Sequence, residues 1–306
     1  VNQGGPVAAS YNASIPFDYI RDKVIVPVTI GGKERHFIFD TGAITMISQS
    51  LYQQMGYPLM GRGHFYDIHQ NVDTARVVRI PHLRLGEVAF RNIPAMVYNL
   101  NRLPWSCFQV DGIIGSNMMR HSAVQIDLQR KELTISNNLD KVDVSGARAG
   151  EMELDRQSSP HIRLRFADKH EDYFLFDSGS DGFVNVNRSF FTRMEDDVHL
   201  QRKRQGRGSN VVGMIGTGRD EPVYRFMLDS LRIAGHSLVQ PHIDVTHTRS
   251  KVGSQLFRYG RVTLDYPSGT FYFEANRDTL RYRDDKGAGF GFIPVVKNDT
   301  FRIGLV

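Results

Sequence analysis

Cysteine is almost absent from this chain. The single Cys107 excludes an intrachain disulfide and any cysteine-based metal site. A small buried hydrophobe is the expectation for it. Long apolar runs are missing as well: none approaches the roughly 18 residues that a membrane-spanning helix needs. Neither sign of charge dominates, with 38 Lys and Arg against 33 Asp and Glu. A net charge of +5 permits acidic partners without demanding them. The basic residues are scattered except for Arg202-Lys203-Arg204 and Arg207. That cluster reads as an exposed polar loop and not as a nucleic-acid contact. The 11 histidines show no metal spacing and no His-Glu-x-x-His, which argues against a zinc protease. Helical periodicity is scarce too.

What is present is a β-rich chain of 306 residues, 41% hydrophobic and 23% charged. That length predicts about two domains and a sizeable core. Val24-Ile25-Val26-Pro27-Val28-Thr29-Ile30 reads as a strand ended by Gly31-Gly32. Residues 261–266 and 270–274 flank the turn Pro267-Ser268-Gly269, a hairpin signature. Short helices are expected at 48–55 and 188–195.

The chain also repeats itself. Phe37-Ile38-Phe39-Asp40-Thr41-Gly42 returns as Phe174-Leu175-Phe176-Asp177-Ser178-Gly179, 137 positions later. Ile114-Gly115-Ser116-Asn117-Met118 returns as Val252-Gly253-Ser254-Gln255-Leu256, 138 positions later. Two motifs in the same order at nearly one offset imply two homologous lobes. The expected boundaries are 1–138 for the first lobe, 139–278 for the second and 279–306 for a tail.

The repeated motif carries chemistry. An apolar strand that ends in Asp delivers a carboxyl into a buried place, where burial raises its pKa. Glycine two places on permits a sharp turn or the close approach of other atoms. The hydroxyls of Thr41 and Ser178 can satisfy buried backbone groups. One such motif is compatible with an ordinary turn. Two, one per lobe, would meet at a central interface if the lobes are related by a pseudo-twofold. Two adjacent carboxyls share one proton, giving a base for water and an acid for a carbonyl oxygen.

On these residues the sequence resembles the aspartic proteases of the pepsin and retroviral-protease clan, arranged as a two-lobed single chain. The resemblance covers residues 20–275 and includes Ile113-Ile114-Gly115, the hydrophobic-hydrophobic-Gly element of that clan. In the second lobe only Val252-Gly253 remains of it, because Lys251 stands where an apolar residue is usual. That change reads as a local relaxation of packing. The resemblance implies an all-β, bilobal fold and an aspartic endopeptidase of extended polypeptides, with Asp40 and Asp177 as the catalytic pair. Thr41, Gly42, Ser178, Gly179 and Ser180 would support the dyad. It implies no metal, no cofactor and no need for a dimer. Ser180 could donate to its aspartate whereas Ala43 cannot, so a weakly acidic optimum is expected.

The resemblance also places a flap in 61–77, with Phe65 and Tyr66 either touching substrate or serving as ordinary sheet residues. A second, glycine-rich flap or loop is expected in 206–218. The tail resembles the opening strands of a PDZ-like domain, which follows the protease in some bacterial members. Its alternative is that these strands finish the interlobe sheet. Residues 1–15 read as either a tail or a displaced inhibitory strand. An exported protein is the expectation by analogy with bacterial members. A peptide-binding module with little turnover is the alternative function; a glycosidase is disfavoured, since its carboxyls stand about 5 Å or more apart.

Overall fold

A computed structural model describes residues 1–67, 69, 71–102, 105–208, 213–214, 221–277, 280–282, 292–297 and 300–305. The chain is mostly β, in two large sheets. In the N-terminal half, the strand Lys33–Asp40 runs antiparallel to Lys23–Ile30 and parallel to Gly112–Gly115. Gly112–Gly115 lies antiparallel to Met46–Ser48, which runs parallel to Val88–Tyr98. The C-terminal half has the same arrangement. His170–Asp177 runs antiparallel to Pro160–Phe166 and parallel to Lys251–Gly253. Lys251–Gly253 lies antiparallel to Val184–Asn187, which runs parallel to His242–Thr246. Each motif aspartate ends its strand opposite a glycine, Asp40 beside Gly115 and Asp177 beside Gly253.

Strand alternation sorts the side chains. Phe37 and Phe39, with Phe174 and Phe176, are fully buried in the main core. Each such ring contributes about 1.5–3 kcal/mol by leaving water. Ile38 points to the opposite face, the face of the Asp40 carboxyl, and joins a second apolar cluster with Met46, Met96, Tyr98 and Ile113.

A central sheet joins the halves. Ala123–Asp127 pairs antiparallel with Gly260–Asp265, with Val124 opposite Leu264, Gln125 opposite Thr263 and Ile126 opposite Val262. At the sequence repeat of 138, Gln125 faces its own counterpart, and its Nε2 donates to Thr263 Oγ1 at 2.9 Å. A pairing that is self-complementary about one position is what a twofold relation produces. Asn12–Pro16 adds an edge strand beside Glu132–Ser136. Gly5–Pro6 pairs with Val88–Tyr98. Within residues 1–15, positions 5–6 and 12–15 are therefore held in sheets of the body and are not a free tail.

Both expected helices form. Gln49–Met55 starts at Ser48, whose hydroxyl accepts the Leu51 N–H at 3.1 Å. Arg188–Met194 starts at Asn187, whose side chain accepts the Phe190 N–H at 2.7 Å. The hairpin forms between Gly260–Asp265 and Thr270–Ala275.

Three expectations fail. The basic cluster is not a loop: it lies on the strand Leu200–Gly208, paired with Glu221–Leu228. Pairing along that neighbour overrides the low strand propensity of the segment, and Lys203 meets Glu195 at 3.1 Å and the Phe191 ring at 5.1 Å. Cys107 is exposed, because it ends a short 3-10 turn, Trp105–Cys107, in which Trp105 takes the inward position. The tail strands Phe292–Lys297 and Thr300–Leu305 pair only with each other among the described residues, so they do not finish the central sheet.

Candidate active site

The two motif loops meet at the interface between the halves and hold each other. The Ser178 hydroxyl donates to the Phe39 carbonyl at 2.9 Å and accepts the Thr41 N–H at 3.0 Å. Reciprocally, the Thr41 hydroxyl donates to the Phe176 carbonyl at 2.5 Å and accepts the Ser178 N–H at 3.0 Å. Both hydroxyl residues are fully buried. Four backbone groups that would otherwise be orphaned are thereby satisfied, each costing about 1–3 kcal/mol if left bare.

The glycines serve proximity and not an unusual turn, since neither has a left-handed backbone. A methyl group on Gly42 would come within 2.7 Å of the Asp177 Cγ, and one on Gly179 would overlap the Asp40 carboxyl. Each carboxyl thus rests on the glycine of the opposite half. No side chain larger than hydrogen fits there while the aspartates keep their places.

The two carboxyls are not equivalent. Asp40 accepts the Gly42 N–H at 2.9 Å. Its pKa is pushed up to about 7, first by burial and then by the neighbouring Asp177 charge. The Gly42 N–H and the ammonium groups of Lys23 and Lys251 oppose that rise. Asp177 instead meets the Lys251 ammonium at 3.3 Å, with side chains only 13% and 5% exposed. Lys251 is therefore no relaxation of packing but a buried counter-charge for the motif aspartate. The Ser180 hydroxyl makes no hydrogen bond to Asp177 among the described residues; the ammonium is the donor there. Its backbone N–H instead bonds the Asp177 carbonyl at 3.0 Å.

Sequence reasoning gave Lys251 the wrong role and missed Lys23 altogether. Lys23 is buried at the start of its strand, in an otherwise apolar run. A lysine inside such a run was the available signal for both.

The flap expected in 61–77 is a hairpin of Leu59–Tyr66 and Val72–Leu85. Phe65 packs edge-on against Tyr98 at 5.8 Å and borders the second apolar cluster, on the Asp40 face of the sheet. The Tyr66 side chain lies outside the described residues. At the hairpin's end, Asp67 accepts the N–H groups of His69 and Asn71, both at 2.9 Å. In the C-terminal half, Gly206 and Gly208 lie on the strand Leu200–Gly208, while Gly216 and Gly218 lie outside the described residues. Gly213 is packed tightly against Asp67 and His69, and the Tyr98 hydroxyl donates to the Met214 carbonyl at 2.6 Å. The ends of the two hairpins are thus in contact.

Behind the Thr41 loop, the Ser116 hydroxyl donates to the Thr41 carbonyl at 2.6 Å and meets the Tyr266 hydroxyl at 3.1 Å. Asn117 Oδ1 accepts from both the N–H and the hydroxyl of Thr45, at 2.7 and 2.9 Å. These fully buried bonds fix the loop from the rear, and the sequence alone gave no sign of them.

Residues 26–118 match the family model for aspartyl proteases. This span carries Asp40-Thr41-Gly42 and Ile113-Ile114-Gly115 and forms an aspartyl protease domain. No curated protein matches the chain.

Proposed function

We propose that the chain is an aspartic endopeptidase whose two homologous lobes, pepsin- or retropepsin-like in fold, place Asp40 and Asp177 around one water. The observation that carries this reading is the reciprocal support of the dyad. Each motif hydroxyl bonds the backbone of the other half, and each carboxyl lies on the other glycine. An aspartate that merely shapes a turn needs no such construction.

The asymmetry of the pair suggests the division of labour. The Lys251 ammonium favours the carboxylate of Asp177, which would take a proton from the attacking water. Burial keeps a proton on Asp40, which would pass it to the substrate carbonyl oxygen. As the tetrahedral intermediate collapses and its C–N bond breaks, the proton held by Asp177 goes to the leaving amine and one hydroxyl of the intermediate returns its proton to Asp40. The substrate is an extended polypeptide lying under the hairpins, with Phe65 on the N-terminal side. A proton retained on Asp40 up to about pH 7 supports activity through the weakly acidic range, with its basic limb near neutrality.

Peptide-library cleavage from pH 3 to 8, with and without a statine-type inhibitor, tests the proposal. Asp40→Asn and Asp177→Asn should each lower turnover by about 10²–10⁴-fold or more while peptide binding persists. Turnover that survives either substitution, or ignores the inhibitor, overturns it.

A further inference from the structure

Lys23 carries a buried ammonium with no partner of its own. The residue is 8% exposed and makes no hydrogen bond or ion pair among the described residues. Its place in the sheet is set by register. Ile25 lies opposite Ile38 on the antiparallel neighbour. Continued by two residues, that register sets Lys23 opposite Asp40, and residues opposite each other share a sheet face.

The acidic groups of the adjoining strand and turn do not pair with it. Asp18, on the strand beside Lys23–Ile30, is exposed, and Asp22 accepts from Arg258 at 2.9 Å. Around Asp40 the other ionisable groups are Asp177, Lys251 and the buried Tyr266, whose hydroxyl meets that of Ser116. Of the two ammonium groups, Lys23 weighs more on Asp40 than Lys251 does.

The C-terminal half is built the other way. His161 lies opposite Leu175, and the same continuation sets the buried Ser159, not a lysine, opposite Asp177. That half's lysine, Lys251, comes from the strand on the other side, where the N-terminal half has Ile113. Each half thus contributes one ammonium, at positions that are not equivalent.

A buried charge left without a counter-charge is costly. With Asp40 protonated and Asp177 ionised, the site holds two ammonium groups and one carboxylate. Lys251 is matched, since it stands 3.3 Å from Asp177. Lys23 is not. The reaction supplies what it lacks. Asp177 takes a proton from water as the water oxygen bonds to the substrate carbonyl carbon, and Asp40 gives its proton to the carbonyl oxygen. Negative charge therefore leaves Asp177 and appears on Asp40, on the side of Lys23.

We infer that Lys23 is a positioning residue for the reaction: its ammonium stabilises the carboxylate that forms on Asp40 as the proton passes to the substrate. Lys251 serves the carboxylate of the resting site, and Lys23 the one that develops. An interaction that strengthens only as the proton leaves lowers the barrier without tightening substrate binding. This rests on the endopeptidase reading and adds a residue to its machinery.

The test is steady-state kinetics on one cleaved peptide across pH 4 to 9, with the wild type, Lys23→Met, Lys23→Gln and Lys23→Arg. In Lys23→Met, kcat should fall by about ten-fold while KM stays within about two-fold, and the basic limb should move upward by about one pH unit. Lys23→Arg should restore both. Lys23→Gln, neutral but polar, should repeat the methionine result and serves if that variant does not fold. A merely structural role would reduce the active fraction and leave the limb in place. Unchanged kcat in a folded neutral variant overturns the role of Lys23 and leaves the endopeptidase intact. So does a fall in kcat with the limb unmoved or lowered, or an arginine variant that behaves like the neutral ones. A wild type that cleaves no peptide overturns the endopeptidase reading itself, and this role with it.

Discussion

Replacing Lys251 by methionine separates the two roles that a lysine at this place can have. Methionine keeps the length and the apolar stem, and the corresponding site in the other half is already filled by the fully buried Ile113. Packing should therefore survive, and the loss is confined to one ammonium. That ammonium stands 3.3 Å from Asp177 between side chains 5% and 13% exposed. At an effective dielectric near 20, Coulomb's law gives about 5 kcal/mol for such a pair as an outer bound. Observed effects of one opposite charge on a neighbouring carboxyl are about one to three pKa units, or about 1.4–4 kcal/mol. Lys251 favours the ionised forms, so its removal strengthens the hold of the pair on its proton. The basic limb of kcat/KM against pH, expected near pH 7 in the wild type, should move upward by about one unit or more. Lys251→Arg should leave it close to the wild-type position. Stability should follow the same sign: the variant loses less at pH 4, where Asp40 keeps its proton, than at pH 8, where more uncompensated negative charge stays buried. The assay is a pH–rate profile on one peptide, run beside thermal unfolding at both pH values. A limb that stays in place or moves down, in a variant that folds normally, refutes the reasoning.

Two further outcomes follow from the site. Ser178→Ala removes a hydroxyl that serves both the Phe39 carbonyl and the Thr41 N–H, so urea unfolding should show a loss of about 1–3 kcal/mol for each orphaned group. Unchanged stability would mean that the cross-half bonds carry little. Asp40→Asn tests the raised carboxyl directly. With a folded-state pKa near 7 against an ordinary 3.8, the native protein binds a proton that the unfolded chain releases, so wild-type stability from this group is present below about pH 4 and is lost as pH rises toward 7. Asparagine does not ionise. The melting temperature of the variant relative to wild type should therefore rise from pH 4 to pH 8, and a flat difference would argue against the shift.

Much of the site was legible because its signals are local and doubled. The strand–Asp–hydroxyl–Gly pattern is contiguous, and its recurrence at nearly one offset identified two halves before any contact was known. The helix starts were legible for the same reason, since Ser48 and Asn187 act on N–H groups three residues ahead. What failed was long-range. The partner of Lys251 is 74 residues away, and without it a lysine inside an apolar element reads as a fault. Ser180 was the reverse case, a donor close in sequence to Asp177 whose hydroxyl does not reach the carboxyl. The strand Leu200–Gly208 is rich in Lys, Arg, Gln and Gly, and only its pairing with Glu221–Leu228 makes it a strand. Cys107 followed a preference of its residue type that one short turn overrides.

The pairing of Ala123–Asp127 with Gly260–Asp265 has a mechanical consequence. It welds the back of the molecule, while the Thr41–Ser178 bonds rivet the middle. Prising the halves apart would shear a continuous ladder and strip four buried bonds at once. At the front, by contrast, the described contacts are made by single groups, the Tyr98 hydroxyl on the Met214 carbonyl and Gly213 against Asp67 and His69. The welded spine and the rivets hold the spacing between the two carboxyls independently of what happens at that front edge.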